Sequence, residues 1–331
     1  MKKKMQKSLA VFGSMLLGAV VAQPVLAAGT VSPTQQVQGN TVVDVNSNVM
    51  EIEGRLGLGY LNGESNELVY NDDGSKLSQL VWKLDNIFML NAGVSFKPTT
   101  WIKFNADIWV ALNDGDNTMD DYDWLVTGWD YTNWSHHEDV PLEKGLMFDI
   151  NAEVPFYTYQ NTSFSALIGV KHDTWEWESY GGHYVYSTYS FRDSSLDFDP
   201  NDKIITYEQM WTVPYIGLAF YSVLTNWDIS GRVIFSPLVQ GEDEDTHHLR
   251  DLLFEEDFDS SWMWAADLAI TYKFSPNWGL TGLLSYQYYD EAKGSTTITD
   301  LTTGQKYYYP GDAAGADNTA TMLSLRLDYT F

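Results

Sequence analysis

From about residue 49 the chain alternates with a period of two. In VMEIEGRLGLGYL, Met50, Ile52, Leu56, Leu58 and Tyr60 are apolar, with Glu51, Glu53, Arg55 and Gly57 between them. In IKFNADIWV, Ile102, Phe104, Ala106, Ile108 and Val110 alternate with Lys103, Asn105, Asp107 and Trp109. LMFDINAEVPF sets Leu146, Phe148, Ile150, Ala152, Val154 and Phe156 against Asp149, Asn151 and Glu153. WDISGRVIF, WMWAADLAITYKF, WGLTGLLSYQYY and MLSLRLDYTF keep the same rhythm. Period two predicts β-strands with one apolar face. That face begins or ends with Trp, Tyr or Phe in nearly every segment, as a lipid-facing strand does where it meets the membrane surface. The opposite face carries Asp, Glu, Asn, Lys and Arg, which argues against a soluble lipocalin-like barrel with an apolar interior.

The joins between these segments carry a second, independent signal. KPTT (97–100), YQNT (159–162), TN (225–226) and SPN (275–277) are tight. They alternate with long polar joins near 62–77, 111–144, 172–206, 241–260 and 290–320. Four short and five long connections predict a ten-stranded antiparallel transmembrane β-barrel, all-β, with short periplasmic turns and long extracellular loops. Closure leaves no unpaired backbone edge in lipid. The last segment ends on Phe331 with Tyr329 on the same face, an ending typical of outer-membrane barrels. No second domain or further repeat is evident.

The N-terminus changes the picture in one respect. MKKKMQK is followed by the apolar run SLAVFGSMLLGAVVAQPVLA, with Val25 and Ala27 at the cleavage-site positions. This predicts a signal peptide over 1–27. A polar lead over 28–48 and the barrel over 49–331 follow. Gly18, Gln23 and Pro24 in or behind the apolar run disfavour a retained anchor. No later run of about 18 apolar residues exists, so a helical membrane protein is not expected. Outer-membrane lipid is therefore the expected surroundings, in a Gram-negative bacterium.

Charge narrows the partners. Asp and Glu number 45 against 19 Lys and Arg, a net charge of −26; removing Lys2, Lys3, Lys4 and Lys7 with the signal peptide takes it to −30. Such a surface repels nucleic acid and attracts cationic peptides or protein segments. Cysteine is absent, which excludes disulfides and thiol catalysis.

The expected topology brings the long joins to one rim outside the cell. One contains Glu67, a second NDGDNTMDDYDWL (113–125), a fourth GEDEDTHHLRD (241–251). On an extended strand Asp121 and Asp123 share a side, as do Asp245 and His247. Close carboxylates raise one another's pKa, and an Asp beside an imidazole fixes its tautomer and stabilises its cation. Together they could activate a water against a peptide carbonyl with no Ser or Cys nucleophile. A hydrated acidic rim is the plainer alternative. Residues 113–125 lack the D-x-D-x-D-G order and distal Glu of a calcium loop, leaving at most a loose divalent site. SHHED (135–139) lacks a companion zinc-ligand pattern. No metal and no cofactor are expected.

At these residues the chain resembles the omptin family of outer-membrane endopeptidases. The resemblance runs over essentially the whole barrel and includes KLSQLVWKLDN (76–86), MDDYDWL (119–125), YGGHYVYS (180–187), SFRD (190–193), VPYIGL (213–218) and EDEDTHH (242–248). It implies that Asp121 and Asp123 match the catalytic Asp pair and that Asp245 and His247 match the Asp–His pair, with a water held between them. It implies that His247 is the base and Asp245 its orienter. Glu67 and Asp243 match the acids of a pocket for Arg or Lys before the scissile bond, lined by Met119 and Ile205. Glu242 and Glu244 are then rim charge, and His248 is not the base. Asn133 stands where some members carry an acid. The family's lipopolysaccharide site falls on Val170, His172, Thr174 and Met210, of which only His172 can be cationic, so the site is not carried over and lipopolysaccharide is left open as an activator. The alternative to an endopeptidase is a non-catalytic surface adhesin or cation-binding barrel on the same scaffold. A small porin is a third reading, opposed by inward side chains such as Trp109.

Overall fold

The computed structural model describes residues 50–126 and 128–331. The expected signal peptide and polar lead, residues 1–48, lie outside the described residues. Fifteen antiparallel strand segments form one sheet, where the alternation predicts ten strands. They are β1 (Glu51–Tyr70), β2 (Lys76–Thr99), β3 (Ile102–Ala111), β4 (Met119–Asp123), β5 (Asn133–His137), β6 (Leu142–Tyr159), β7 (Thr162–Tyr180) and β8 (His183–Tyr186). There follow β9 (Ser194–Asp197), β10 (Lys203–Val223), β11 (Trp227–His247), β12 (Leu252–Phe258), β13 (Ser261–Lys273), β14 (Trp278–Asp300) and β15 (Lys306–Thr330).

The difference in count has a local cause. β3 and β4 both pair with β2, β12 and β13 both pair with β11 and β14, and the β5–β8–β9 pairings continue those of β6–β7–β10. Five long strands are thus each interrupted once by a few irregular residues. β1 pairs with both β15 and β2, which closes the barrel.

Two of the five interruptions need glycine. Gly115 (φ 76°), between β3 and β4, lies against the Ile87 side chain, and a Cβ there would come within 2.7 Å of the Asp85 carbonyl. Gly182 (φ 107°), between β7 and β8, leaves room for His137, whose Nδ1 a Cβ would approach to 2.6 Å. Both positive φ values favour glycine on backbone grounds as well.

The expected long loops are the second correction. Most of 62–77, 172–206, 241–260 and 290–320 is strand, with short tips at 71–75, 187–193, 248–251 and 301–305, and 111–144 carries β4 and β5. A polar segment paired on both sides satisfies its backbone as well in a ladder as in water. The wall therefore continues upward past the lipid. The four tight turns fall where the sequence places them.

The lipid face is continuous. Leu56, Leu58, Phe88, Ile150, Ile168, Ile216, Leu218, Val233, Leu268, Leu284, Leu323 and Leu325 are all exposed outward. Aromatic pairs border it above, Tyr60 on Phe88 and Trp262 on Tyr288, and below, Trp278 on Tyr329 and Trp227 on Tyr272. Among the described residues no helix is long and apolar enough to span a membrane.

Inward positions fill the lumen at the height of the lipid with paired charge. Arg55 reaches Asp107 at 2.8 Å, Arg232 reaches Asp149 at 3.1 Å and Lys171 reaches Asp173 at 2.6 Å. A cavity of about 500 Å³ opens among Arg55, Asp107, Asp149, Lys171, Arg232 and the lower-rim charges. Trp109 is buried inward, as its place in the alternation predicts. Above the cavity, Trp82 (β2), Tyr207 (β10) and Trp177 (β7) stack face to face, fully buried.

Candidate active site

The aspartate pair stands on β4, which is clamped between β2 and β5. Asn117 fixes its entry by donating to the Asp114 and Val140 carbonyls (2.7 and 3.0 Å) and accepting from the Asp85 amide at 2.8 Å. Alternation then sorts the three acids of MDDYD. Asp120 takes hydrogen bonds from Trp134 Nε1 (3.1 Å) and pairs with His136 Nδ1 (2.9 Å) on one side. Asp121 and Asp123 face the other, each backed by the β2 and β5 residues opposite them, Leu80 with Ser135 and Ser78 with Asn133.

Ser78 donates to Asp121 Oδ1 at 3.2 Å. Burial, then the charge of Asp123, pushes the Asp121 carboxyl well above the usual carboxylate range. Burial also raises Asp123, opposed by Ser78, Arg250, His247 and the Asn133 amide. Two close carboxylates in such surroundings retain a proton between them. Asn133 supports Asp123, and its side-chain carbonyl accepts from the Ser187 amide at 3.0 Å.

The second pair ends β11. Asp245 Oδ2 lies 2.6 Å from His247 Nε2. Asp245 is almost fully buried, and neither of its oxygens has an aligned hydrogen bond. The contact is thus close but off-axis. His247 packs against Phe254, ring centroids 5.1 Å apart, and its Nδ1 touches the Arg250 guanidinium. Opposite on β10 stand Ile205, Tyr207 and Gln209, facing His247, Asp245 and Asp243. Asp245 acts on Asp121 and His247 on Asp123, so the two pairs share one bowl.

Beneath lies the acid pocket. Glu67 and Asp243 are buried at 2% and 1% exposure, with Met119 and Ile205 buried beside the aromatic stack. These acids stand above the lipid band, seven residues beyond Tyr60 and eight beyond Phe235 on their strands. Trp82 Nε1 donates to Glu67 Oε2 at 3.4 Å and Tyr207 donates to Asp243 Oδ2 at 2.9 Å. Burial, then Asp245, raises Glu67 well above its usual value; burial, then Glu67, does the same for Asp243.

Sequence reasoning missed two residues here. Glu256 (β12) lies directly across from Asp243 and is 3% exposed. Its signal was available: a hairpin turning at HLRD (248–251) sets 243 opposite 256. Arg250 sits on that turn, and nothing in the pattern marks it.

Other expected residues separate. His248 bonds Thr206 Oγ1 at 2.8 Å, and Glu242 and Glu244 are exposed. His136 and His137 point to opposite sides of β5, His136 toward Asp120 and His137 toward Ser135 (3.0 Å), so SHHED does not converge. His172 lies between Thr212 (2.9 Å) and Thr174 (3.1 Å).

A closed, lipid-banded barrel with an acid-and-imidazole bowl above the membrane defines an outer-membrane β-barrel with a candidate hydrolytic site. The chain belongs to the omptin family, whose model matches residues 48–331. It is 30% identical to the plasminogen activator of Yersinia pestis over 82% of this chain and 87% of that protein. It is 27% identical to the outer membrane protease OmpP of Escherichia coli, covering 85% and 90%. The crystal structure of the outer membrane protease OmpT from Escherichia coli superposes with a TM-score of 0.82 at 25% identity, covering 85% of this chain and 97% of that one. The chain is thus an outer-membrane protease.

Proposed function

We propose that this protease is an endopeptidase that cuts after Arg or Lys, using a water activated between Asp121/Asp123 and Asp245/His247. The observation that carries the reading is the 2.6 Å approach of Asp245 to His247 in the same bowl as the aspartate pair. A guanidinium only donates, so the Nδ1 facing Arg250 carries the lone pair and Nε2 carries the proton turned toward Asp245. Nδ1 is then the base, and a bound substrate displaces Arg250 from it. The water oxygen attacks the peptide carbonyl carbon while its proton passes to Nδ1. The proton retained by the aspartate pair is donated to the developing oxyanion. Asp245 stabilises the imidazolium, which gives its proton to the leaving amine as the C–N bond breaks, and the intermediate returns a hydroxyl proton to the aspartate pair as the carboxyl product forms. Glu67 and Asp243 receive the cationic side chain before the scissile bond, with Met119 and Ile205 along its aliphatic stem. No metal is needed in this scheme. The substrates are cationic peptides or exposed protein segments, and with Val170, Thr174 and Met210 uncharged, we expect activity without lipopolysaccharide.

Refolded barrel is tested on a fluorogenic peptide with a central Arg-Arg pair, with and without lipopolysaccharide, beside His247→Ala and Asp121→Ala. Cleavage that survives a chelator and falls by about 10²–10⁴ in both variants is the expected result. Folded but inactive wild type would favour a binding protein, and active variants would mean that other residues carry the chemistry.

A further inference from the structure

We propose that Glu256 is a third carboxylate of the cation pocket and makes it select arginine over lysine; this rests on the endopeptidase reading above. Asp243 and Glu256 face each other across β11 and β12, so their side chains leave the sheet on the same side. Both are buried to less than a twentieth of their exposed surface.

Their oxygens are not all satisfied. Asp243 Oδ1 and Glu256 Oε2, which face each other, receive no N–H or hydroxyl donor at hydrogen-bond geometry. Buried polar atoms are nearly always paired, so a cluster of orphaned acceptors at one place marks a missing donor. A cation that offers several N–H bonds in different directions would supply it. An ammonium has three donors on one atom; a guanidinium has five in a planar fork. Asp243 alone keeps one free oxygen, because Tyr207 takes the other. Glu256 supplies a second free oxygen from the facing strand, which a fork can bridge and a point charge cannot. The flat Trp82–Tyr207–Trp177 stack beside the pocket suits a planar cation for the same reason.

Among the described residues no set of three or more His, Asp or Glu has the arrangement to hold a metal ion. The pocket also holds protons when empty. Burial, then Asp243, lifts the Glu256 carboxyl well above its usual range. A cation entering the pocket therefore expels protons into the medium.

The test reads binding apart from catalysis. In a His247→Ala background, titration calorimetry in two buffers of different ionisation enthalpy measures an N-acyl-arginine amide against its lysine counterpart. Asp243→Asn, Glu256→Gln and Glu256→Asp are added in turn, with folding confirmed by heat-modifiable migration. Arginine amide is expected to bind about tenfold more tightly than lysine amide, with proton release. Glu256→Gln is expected to weaken arginine binding about tenfold, bring the ratio near one and reduce proton release, while Glu256→Asp retains part of the preference. In the active barrel Glu256→Gln raises KM for an arginine substrate and leaves kcat within about twofold. Unchanged arginine binding in Glu256→Gln, with Asp243→Asn impaired, would overturn the role of Glu256 and leave the endopeptidase reading standing. No binding of either amide would overturn both.

Discussion

The indole of Trp82 stacks on the ring of Tyr207 across the lumen, centroids 5.3 Å apart and planes 17° from parallel. Each ring also holds one pocket acid: Trp82 donates to Glu67 and Tyr207 to Asp243. The stack therefore floors the bowl and orients the two carboxylates at once.

Removing only the indole N–H tests that coupling. Trp82→Phe keeps an aromatic ring and deletes the donor that favours ionised Glu67. The lost bond is long, so an effect near 1 kcal/mol is expected, a rise of roughly three- to tenfold in KM for an arginine peptide with kcat little changed. Steady-state kinetics that showed kcat falling instead would mean the stack positions the catalytic groups rather than the pocket.

The pocket acids also link stability to pH. Glu67, Asp243 and Glu256 all have folded-state pKa values above their usual ones. The folded state then binds more protons than the unfolded state, and stability falls as pH rises from about 4 through the folded values. Melting of the empty barrel is expected to be highest in acid and to decline toward neutrality. The decline is expected to shrink in an Asp243→Asn/Glu256→Gln double variant, and equal slopes in the two proteins would refute the linkage.

Salt should act on capture rather than on chemistry. On the proposed function, a chain of net charge −26 is expected to attract cationic peptides over a distance that ionic strength controls. The Debye length shrinks from about 30 Å at ~0.01 M to about 3 Å at ~1 M. kcat/KM for a multiply cationic peptide is expected to fall at least tenfold over that range, with kcat nearly constant. A flat salt profile would remove electrostatic steering from the account.

Alternation alone determined the barrel, because a strand between lipid and a polar lumen must present opposite chemistry on its two sides. It placed the four tight turns, the inward Trp109 and the outward aromatic borders. It also sorted Asp121 and Asp123 from Asp120, and Asp245 and His247 from Glu244 and His248, since neighbours on a strand face opposite ways. Resemblance to the omptins then supplied the role of each acid. What the sequence could not decide was pairing above the membrane. Polar residues there pair or stay loop at similar free energy, so composition does not separate the two, and the strands ran on where long loops were expected. The convergence of Glu67 from β1 with Asp243 and Glu256 from β11 and β12 was likewise a product of closure. Only the curved wall brings strands so distant in the chain to face one another across a single lumen, where burial lifts three ordinary acids well above their usual pKa values.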